Sequence, residues 1–415
     1  MKKEWKKVKL GTIATFSNGV NFGKESYAPG VKLIGVSNFG NRYFPEYEDL
    51  DEIDERVLRP NDYLKNGDIV FVRSNGNKEL VGRCMLIQNP PTPVTYSGFC
   101  IRARLNNIEE NNPRFFTYYF KSKAFRKAMS NTAVGANIQN LNQGLLSNHE
   151  LYLPPLPTQQ KIASILSAYD DLIENNRKQI KLLEEAAQKL YKEWFVKLNF
   201  PGHETAKIVD GVPEGWKIQT VNDLQGKLES GSRPKGGIDS SIKNGIASVG
   251  AENVIGLGQY NYASEKIVSN EFFEKAKRGI IENKDILIYK DGAYIGRTSL
   301  FQDNFPHEKA MVNEHVFTLH AEKESYQYFL FFTLYQKTYF EKMQKLNKNA
   351  AQPGINQDAI KSLKLLVPTD NLVNKYDELV TPMVDKIFTL AKQIVDLQSA
   401  RDKLLPRLMS GELEV

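Results

Sequence analysis

Side chains that can pair with DNA base edges are concentrated in a few short, glycine-containing segments of the sequence. In the major groove, Arg and Lys donate to guanine, whereas Asn and Gln pair with adenine. The neighbouring glycines would let the backbone approach a phosphate closely. Ordinary polar surface turns have the same composition, so the sequence leaves both interpretations open. The candidate contact residues are Arg73, Asn75, Asn77, Lys78, Arg83, Asn137, Gln139, Asn140, Arg233, Lys235, Lys290, Tyr294, Arg297, Gln352 and Asn356.

The motifs of common nucleotide-using and base-modifying enzymes are missing from the sequence. Gly23-Lys24 is followed by Glu25 and lacks the upstream glycine of a phosphate-binding P-loop. Gly256 and Gly258 are not followed by the third glycine of a dinucleotide-binding turn. The segment 89–92 resembles the Asn-Pro-Pro-aromatic motif of DNA amino-methyltransferases, but Thr92 cannot stack on a flipped base. We therefore predict no catalytic residue and no metal ligand.

Composition indicates a folded protein of two or three domains with a modest basic excess. The 415 residues are 41% hydrophobic and 11% aromatic, which is enough to build real cores. The net charge of +6 falls mostly in the first domain, and this permits nucleic-acid binding without proving it. Two cysteines, Cys84 and Cys100, fit a reducing cytoplasm, and no apolar run is long enough to span a membrane.

Two long heptad helices are the elements that must position the candidate segments. After a proline cluster, Thr158 stands where a helix would be capped, and apolar residues then alternate at spacings of four and three. Asn176, the one polar position of this first seam, can fix register, and the seam recurs 214 residues later. We predict that the helices pair; the alternative is that each packs on its own domain. The seam residues are Ile162, Leu166, Tyr169, Ile173, Ile180, Leu183, Leu190, Val380, Ile387, Leu390, Ile394, Leu397 and Leu404.

The two helices belong to a repeat of half the chain. VGRCMLIQ at 81–88 corresponds to IGRTSLFQ at 295–302, and the copies align without gaps from there. Each copy begins with short strands and continues into a helix, predicted over 115–129 and 329–343. The expected fold class is α/β, with mixed α+β domains and long helices. The predicted divisions are a first domain, a central helix, a second domain and a C-terminal helix, at 1–157, 158–198, 199–369 and 370–415.

This plan resembles the specificity subunit of type I restriction–modification systems over nearly the whole chain. The most specific segment is LPPLPTQQKIASILSAYDDLIENN at 153–176, which is similar to that family's central helical region. The aromatic helix beginning at Phe115 and the loops ending in LNQ and INQ also match. The second copy departs from the pattern, because VPTDNLVNKY opens its helix and Pro382 lies within it. Proline there should kink the helix or mark its true start.

The resemblance implies a non-catalytic subunit whose two globular copies are target recognition domains. Each domain would read one half of a split double-stranded DNA site, and the helices would pair antiparallel as a spacer between pseudo-two-fold copies. The chain itself would bind no cofactor. It would work in the cytoplasm with methyltransferase (M) subunits that use S-adenosylmethionine and restriction (R) subunits that use ATP and Mg²⁺. The complex would be an adenine methyltransferase and ATP-dependent endonuclease.

Three alternatives remain open at this stage. One is a stand-alone DNA methyltransferase or nuclease, which the missing cofactor motifs disfavour. Another is a coiled-coil scaffold whose domains bind protein, which the Asn-, Gln- and Arg-rich segments disfavour. The third is a specificity subunit of a related modification system that differs only in its partner enzyme.

Overall fold

The computed structural model describes residues 5–40, 42–74, 81–131, 141–209, 211–346 and 354–415. The chain divides into two compact units. The first unit contains the residues up to Ile173 together with Leu397–Val415, and the second contains Glu174–Asp396. Each long helix therefore contributes residues to both units, while the predicted four-part division of the chain stays a prediction.

The first unit is built on two small sheets and a ribbon, and its central strand is buried on both faces. The four-stranded antiparallel sheet has the order Ala14–Asn18, Cys100–Leu105, Ile69–Val72 and Cys84–Leu86. The three-stranded sheet has the order Asp51–Ile53, Tyr27–Ile34 and Val94–Tyr96, with the last pair parallel. The ribbon pairs Lys6–Lys9 with Glu150–Leu153.

The second unit repeats this topology strand for strand. Its four-stranded sheet has the order Gln225–Ser230, Val316–Ala321, Ile286–Tyr289 and Thr298–Leu300. Its three-stranded sheet has the order Lys266–Val268, Ile246–Val249 and Ala310–Val312, again with the last pair parallel. Its ribbon pairs Lys217–Thr220 with Lys364–Val367. Two short hairpins are added: Ile208–Val209 with Val212–Pro213, and Val254–Gly256 with Gln259–Tyr260. The tandem mixed α/β repeat is thereby confirmed, but the prediction that the copies align without gaps is wrong, because strand Cys100–Leu105 corresponds to strand Val316–Ala321 at an offset of 216 rather than 214.

Short helices complete each globular part. In the first unit they are Leu10–Ile13, Pro113–Lys121, Lys123–Asn131 and Gln143–Asn148. In the second unit they are Val221–Leu224, Asn270–Lys275, Gln327–Leu334, Lys337–Lys345 and Gln357–Lys361.

The prediction of one unbroken helix over 115–129 and another over 329–343 is wrong. Each segment forms two helices, separated at Ser122 in the first unit and around Gln336 in the second. Ser122 is extended at ψ 145°, and its hydroxyl oxygen accepts from Phe125 N at 3.2 Å. Serine competes with the helix by capping the next turn, so a helical pattern of apolar residues continues across a real break.

The long helices are Leu156–Tyr191, which continues as a π-turn over Lys192–Val196, and Asp370–Met409. The first begins at Leu156, so the predicted cap at Thr158 is wrong by three residues, and Thr158 lies inside the first turn. The second begins at Asp370, so Pro382 is not its start; this proline is accommodated at an exposed position inside the helix.

The two long helices run antiparallel, as the contacts within the second unit show. Asn176 Nδ2 donates to Gln393 Oε1 at 3.2 Å, and further along the Tyr191 ring lies 6.1 Å from the Tyr376 ring. The residue numbers rise on one helix and fall on the other, which defines the direction. Among the predicted seam residues, the buried ones are Ile162, Leu166, Ile173, Ile180, Val380, Ile387 and Leu390. The half-buried ones are Tyr169, Leu183, Leu190, Ile394, Leu397 and Leu404.

The aromatic helix of each globular part attaches that part to the long helices. In the first unit, Tyr118 donates to Asp170 on the central helix. In the second unit, the hydroxyls of Tyr191 and Thr333 lie 2.8 Å apart, and Tyr335 donates to Glu184 at 2.7 Å. The strand ends and loops that carry the candidate contact residues thus belong to globular parts that are hydrogen-bonded to the long helices.

Candidate nucleic-acid interface

The structure describes part of the predicted contact set. Within the described residues are Arg73, Arg83, Arg233, Lys235, Lys290, Tyr294, Arg297 and Asn356. Outside them lie Asn75, Asn77, Lys78, Asn137, Gln139, Asn140 and Gln352, whose predicted contacts stay predictions.

Arg73 ties three segments of the first unit together at the end of a central strand. Its backbone N–H donates to Phe99 O at 2.8 Å, and its carbonyl accepts from Leu141 N at 2.9 Å. Its guanidinium Nη1 donates to Gly98 O at 3.2 Å. Because a half-buried Arg73 already serves the turn beside it, these contacts account for the residue without DNA.

Lys290 makes the same set of contacts in the second unit. Its backbone N–H donates to His315 O at 3.0 Å, and its carbonyl accepts from Ile355 N at 3.0 Å. Its ammonium Nζ donates to Glu314 O at 3.0 Å and lies 5.5 Å from the centre of the Phe317 ring. These three hydrogen bonds are therefore shared by the two units, and Lys290 is a positioning residue for its turn.

Arg83 and Arg297 both follow a glycine with positive φ, +78° at Gly82 and +84° at Gly296. In each unit the glycine N–H donates to the backbone carbonyl of the last residue of the preceding central strand, at 2.9 Å. In each unit the arginine carbonyl accepts from the same strand, at 2.9 Å for Arg83 and 2.8 Å for Arg297. Glycine adopts this left-handed conformation without strain, so both arginines emerge from tight, well-defined turns.

Arg297 forms a stacked pair with Tyr294. The guanidinium carbon lies 3.9 Å from the centre of the tyrosine ring, and Tyr294 is 52% exposed. Stacking holds the planar guanidinium in one orientation and leaves its edge to donate hydrogen bonds. Of the described candidates, this pair has the geometry best suited to a bidentate contact with guanine or phosphate.

Acidic side chains lie beside two further residues of the second unit, Arg233 and His315. Arg233 Nε lies 3.0 Å from Glu314 Oε1, while the other carboxylate oxygen of Glu314 is buried without a hydrogen-bond partner. His315 Nδ1 lies 2.8 Å from Asp291 Oδ2. Lys235 is exposed in a glycine-rich turn. Arg233 is therefore partly neutralised at this surface, whereas Lys235 has the exposure that a phosphate contact requires.

Asn356 caps a helix. Its Oδ1 accepts from Ala359 N at 2.8 Å, and Asn142 makes the equivalent bond to Leu145 N in the first unit, also at 2.8 Å. Asn-Gln at the end of a loop is typical of an N-cap as well as of adenine recognition. The cap explains this residue, although its amide N–H₂ remains available to a ligand.

Sequence reasoning missed one residue at this surface, Phe99. It is 64% exposed in the turn that Arg73 holds, and His315 occupies the equivalent turn of the second unit. A search restricted to polar residues could not find it. The available signal was an aromatic residue directly between Gly98 and a run of apolar residues that forms a strand.

The strongly perturbed acid and thiol groups lie in cores and along the long helices. Burial raises the pKa of the Cys84 thiol to about 11 and that of Asp377 to about 6. In the described part of the chain, no group of three or more His, Cys, Asp or Glu side chains could hold a metal ion. The perturbed groups therefore do not mark a catalytic site at the candidate loops.

The fold and this surface define a class of protein: a tandem pair of mixed α/β domains that present polar and aromatic loops, joined by antiparallel helices. The family model described as "Type I restriction modification DNA specificity domain" matches residues 2–185 and again 213–378. The chain therefore belongs to the type I restriction–modification DNA specificity family, whose specificity subunits are non-catalytic.

Similar proteins share this description. The type I restriction enzyme MjaIX specificity subunit of Methanocaldococcus jannaschii is 26% identical over 346 residues, covering 81% of this chain and 76% of the relative. The StySPI specificity subunit of Salmonella potsdam is 22% identical over 434 residues, covering 99% and 89%. A crystal structure of the type I system S subunit from M. genitalium has a similar fold, with a TM-score of 0.57 at 16% identity and coverage of 98% and 97%. None of the helices among the described residues is long and apolar enough to cross a membrane.

Proposed function

We propose that this chain binds a split double-stranded DNA target, with one half-site read by each recognition domain, and positions partner enzymes on it. The observation that carries the proposal is the repeated scaffold. Equivalent backbone hydrogen bonds at Arg73 and Lys290 hold equivalent turns, yet those turns present different side chains, Phe99 and His315. Two domains that share a backbone scaffold but present different side chains are suited to two different half-sites.

The partners that fit this role are M subunits carrying S-adenosylmethionine and R subunits carrying ATP and Mg²⁺, working in the cytoplasm. The chain supplies recognition, and the chemistry belongs to those subunits. The absence of cofactor motifs from the sequence supports this division.

The test is to express the chain with its M subunits in a host that lacks adenine methylation and to map methylated adenines across the genome. The expected result is one split motif with two defined halves and an unread gap. A continuous motif, or methylation without sequence preference, would contradict the proposal. Methyl transfer by the purified chain alone with S-adenosylmethionine would instead favour a stand-alone methyltransferase.

A further inference from the structure

Phe99 is mounted rigidly although its ring is left in water. Its carbonyl accepts from Arg73 N at 2.8 Å and from Ser74 N at 3.4 Å, while the preceding Gly98 N donates to Val20 O at 2.7 Å. Cys100, which follows, is fully buried in the central sheet. The backbone is thus held on both sides of a side chain that is 64% exposed.

Exposure alone would carry little weight, because single apolar side chains are common on protein surfaces. What distinguishes Phe99 is its place in the turn that is held by Arg73, itself a candidate contact residue. Exposed apolar surface gives up the stabilisation that its burial would provide, and packing within this domain leaves most of the Phe99 ring uncovered. The ring is therefore available to a ligand at this surface.

The repeat shows that the scaffold does not require an aromatic side chain here. The second unit builds an equivalent turn, in which Lys290 N donates to His315 O at 3.0 Å as Arg73 N donates to Phe99 O, and places His315 at the equivalent position. His315 is polar and is held by Asp291 at 2.8 Å. The side chain at this position is thus apolar in one domain and polar in the other, although the two domains share one backbone scaffold. This is the behaviour expected of a residue that reads sequence.

The same comparison separates two ways in which an aromatic side chain can act on DNA. A wedge that enters between base pairs needs an apolar side chain in whichever domain uses it, and histidine held by a carboxylate does not suit that role. A base-edge contact can differ in chemistry from one half-site to the other. Among the base edges of the major groove, the one apolar group is the 5-methyl of thymine.

We infer that Phe99 is a specificity-determining residue that contacts the 5-methyl group of a thymine in the half-site read by the first domain. The inference rests on the proposed function, since it assigns one base contact within the split target. Arg73 acts here as a positioning residue, because its guanidinium and backbone hold the turn that presents the ring.

The experiment uses the full chain in complex with its M subunits and a duplex carrying the target mapped for the wild-type complex. Each thymine of the first half-site is replaced in turn by uracil, which lacks only the 5-methyl group. We expect one replacement to weaken binding of the wild-type complex roughly fourfold, the value of one buried methyl group. The Phe99→Ala complex should bind the thymine duplex more weakly and should not distinguish it from that uracil duplex.

The matched control is Ile108→Ala, which removes an equally exposed apolar side chain, also 64%, just beyond the other end of the Cys100–Leu105 strand. This variant should discriminate thymine from uracil as the wild type does. A first half-site without any T·A pair overturns the inference. So does a Phe99→Ala complex that still discriminates, or one that weakens equally on every duplex, which is the signature of a wedge.

Failure of this inference is distinguishable from failure of the proposed function. If the wild-type complex modifies no split site, the proposed function fails and the inference fails with it. If the wild-type complex modifies a split site and Phe99→Ala leaves methyl discrimination unchanged, the proposed function stands and the assignment of Phe99 is wrong.

Discussion

Arg401 on the C-terminal long helix forms an ion pair with Asp170 on the central long helix, inside the first unit. Asp170 is 4% exposed and also accepts a hydrogen bond from Tyr118 on the aromatic helix. At the repeat offset of 214 residues, the counterparts of Tyr118, Asp170 and Arg401 in the second unit are Phe332, Val384 and Ala187. All three counterparts are buried. One layer of the repeat is therefore polar in the first unit and apolar in the second.

The first prediction concerns the stability of this layer. Arg401→Ala should lower the free energy of unfolding of the first unit by about 3–5 kcal/mol, because it leaves the Asp170 carboxylate buried without its cation. The combined variant Tyr118→Phe, Asp170→Val, Arg401→Ala copies the second unit and should be within about 1 kcal/mol of wild type. Urea unfolding followed by circular dichroism measures both variants. A combined variant as unstable as the single one would show that the apolar layer does not fit the first unit.

The second prediction concerns pH and Asp377, whose pKa burial raises to about 6 and whose Oδ1 is buried without a hydrogen-bond partner. The folded state holds this proton more tightly than the unfolded state does. Its contribution to stability is therefore present below pH 4 and is lost as pH rises through 6. Allowing for the half-exposed side chain, the loss should be roughly 1 kcal/mol.

Replacing Asp377 by Asn should remove that loss and stabilise the protein at pH 7. Thermal unfolding at several pH values between 4 and 7 measures the effect, with Asp396→Asn as a control at an exposed position of the same helix. A wild-type profile that rises with pH, together with no gain from Asp377→Asn, would contradict the prediction.

The parts of the structure that depend on local patterns were predictable from the sequence. The heptad seams, the half-chain repeat and the central strands are periodic or duplicated, so they can be read along the chain. The roles of Arg73 and Lys290 could not be read in this way, because the carbonyls that they bind at Gly98 and Glu314 lie far away in sequence. The exposure of Phe99 likewise depends on tertiary position, whereas the Asn356 cap is a local contact whose residue type also suited base recognition.

The third prediction concerns the stacked pair of the second unit. If Arg297 reads guanine, Arg297→Ala should weaken binding to the cognate DNA by about 1–3 kcal/mol and relax one base of the second half-site. Arg297→Lys should not restore that base, because lysine cannot make the bidentate contact. Lys217→Ala, at an exposed position in the ribbon, controls for the general loss of a positive charge. Binding to a library of half-site variants measures the preference; equal weakening on all variants would assign Arg297 to phosphate.

The fourth prediction concerns independent reading by the two domains. Replacing residues 10–149 by the corresponding segment of another family member should change one half-site and leave the other intact. These limits preserve the ribbon of Lys6–Lys9 with Glu150–Leu153, and Leu10 N donates to His149 O at 2.9 Å where the segment begins and ends. Mapping methylated adenines for the chimaera gives both halves at once. If both half-sites changed together, independent reading would be wrong.

The last prediction is that the paired helices set the gap between half-sites. The contact of Asn176 with Gln393 fixes their antiparallel register, so an insertion in one helix must lie opposite an insertion in the other. The boundary between the units satisfies this condition, because it crosses the helices after Ile173 and after Asp396. Matched insertions after Leu183 and Leu397 would not lie opposite each other in this register.

One heptad inserted after Ile173 and one after Asp396 keeps the seam aligned and leaves the core of each unit intact. Seven residues add about 10 Å to a helix, which on B-DNA corresponds to roughly three base pairs. The mapped target of this variant should therefore have a gap that is about three base pairs longer, with both half-site sequences unchanged. A heptad inserted in only one helix breaks the register and should abolish specific methylation. An active double-insertion variant with an unchanged gap would mean that the length of the helices does not measure the spacing.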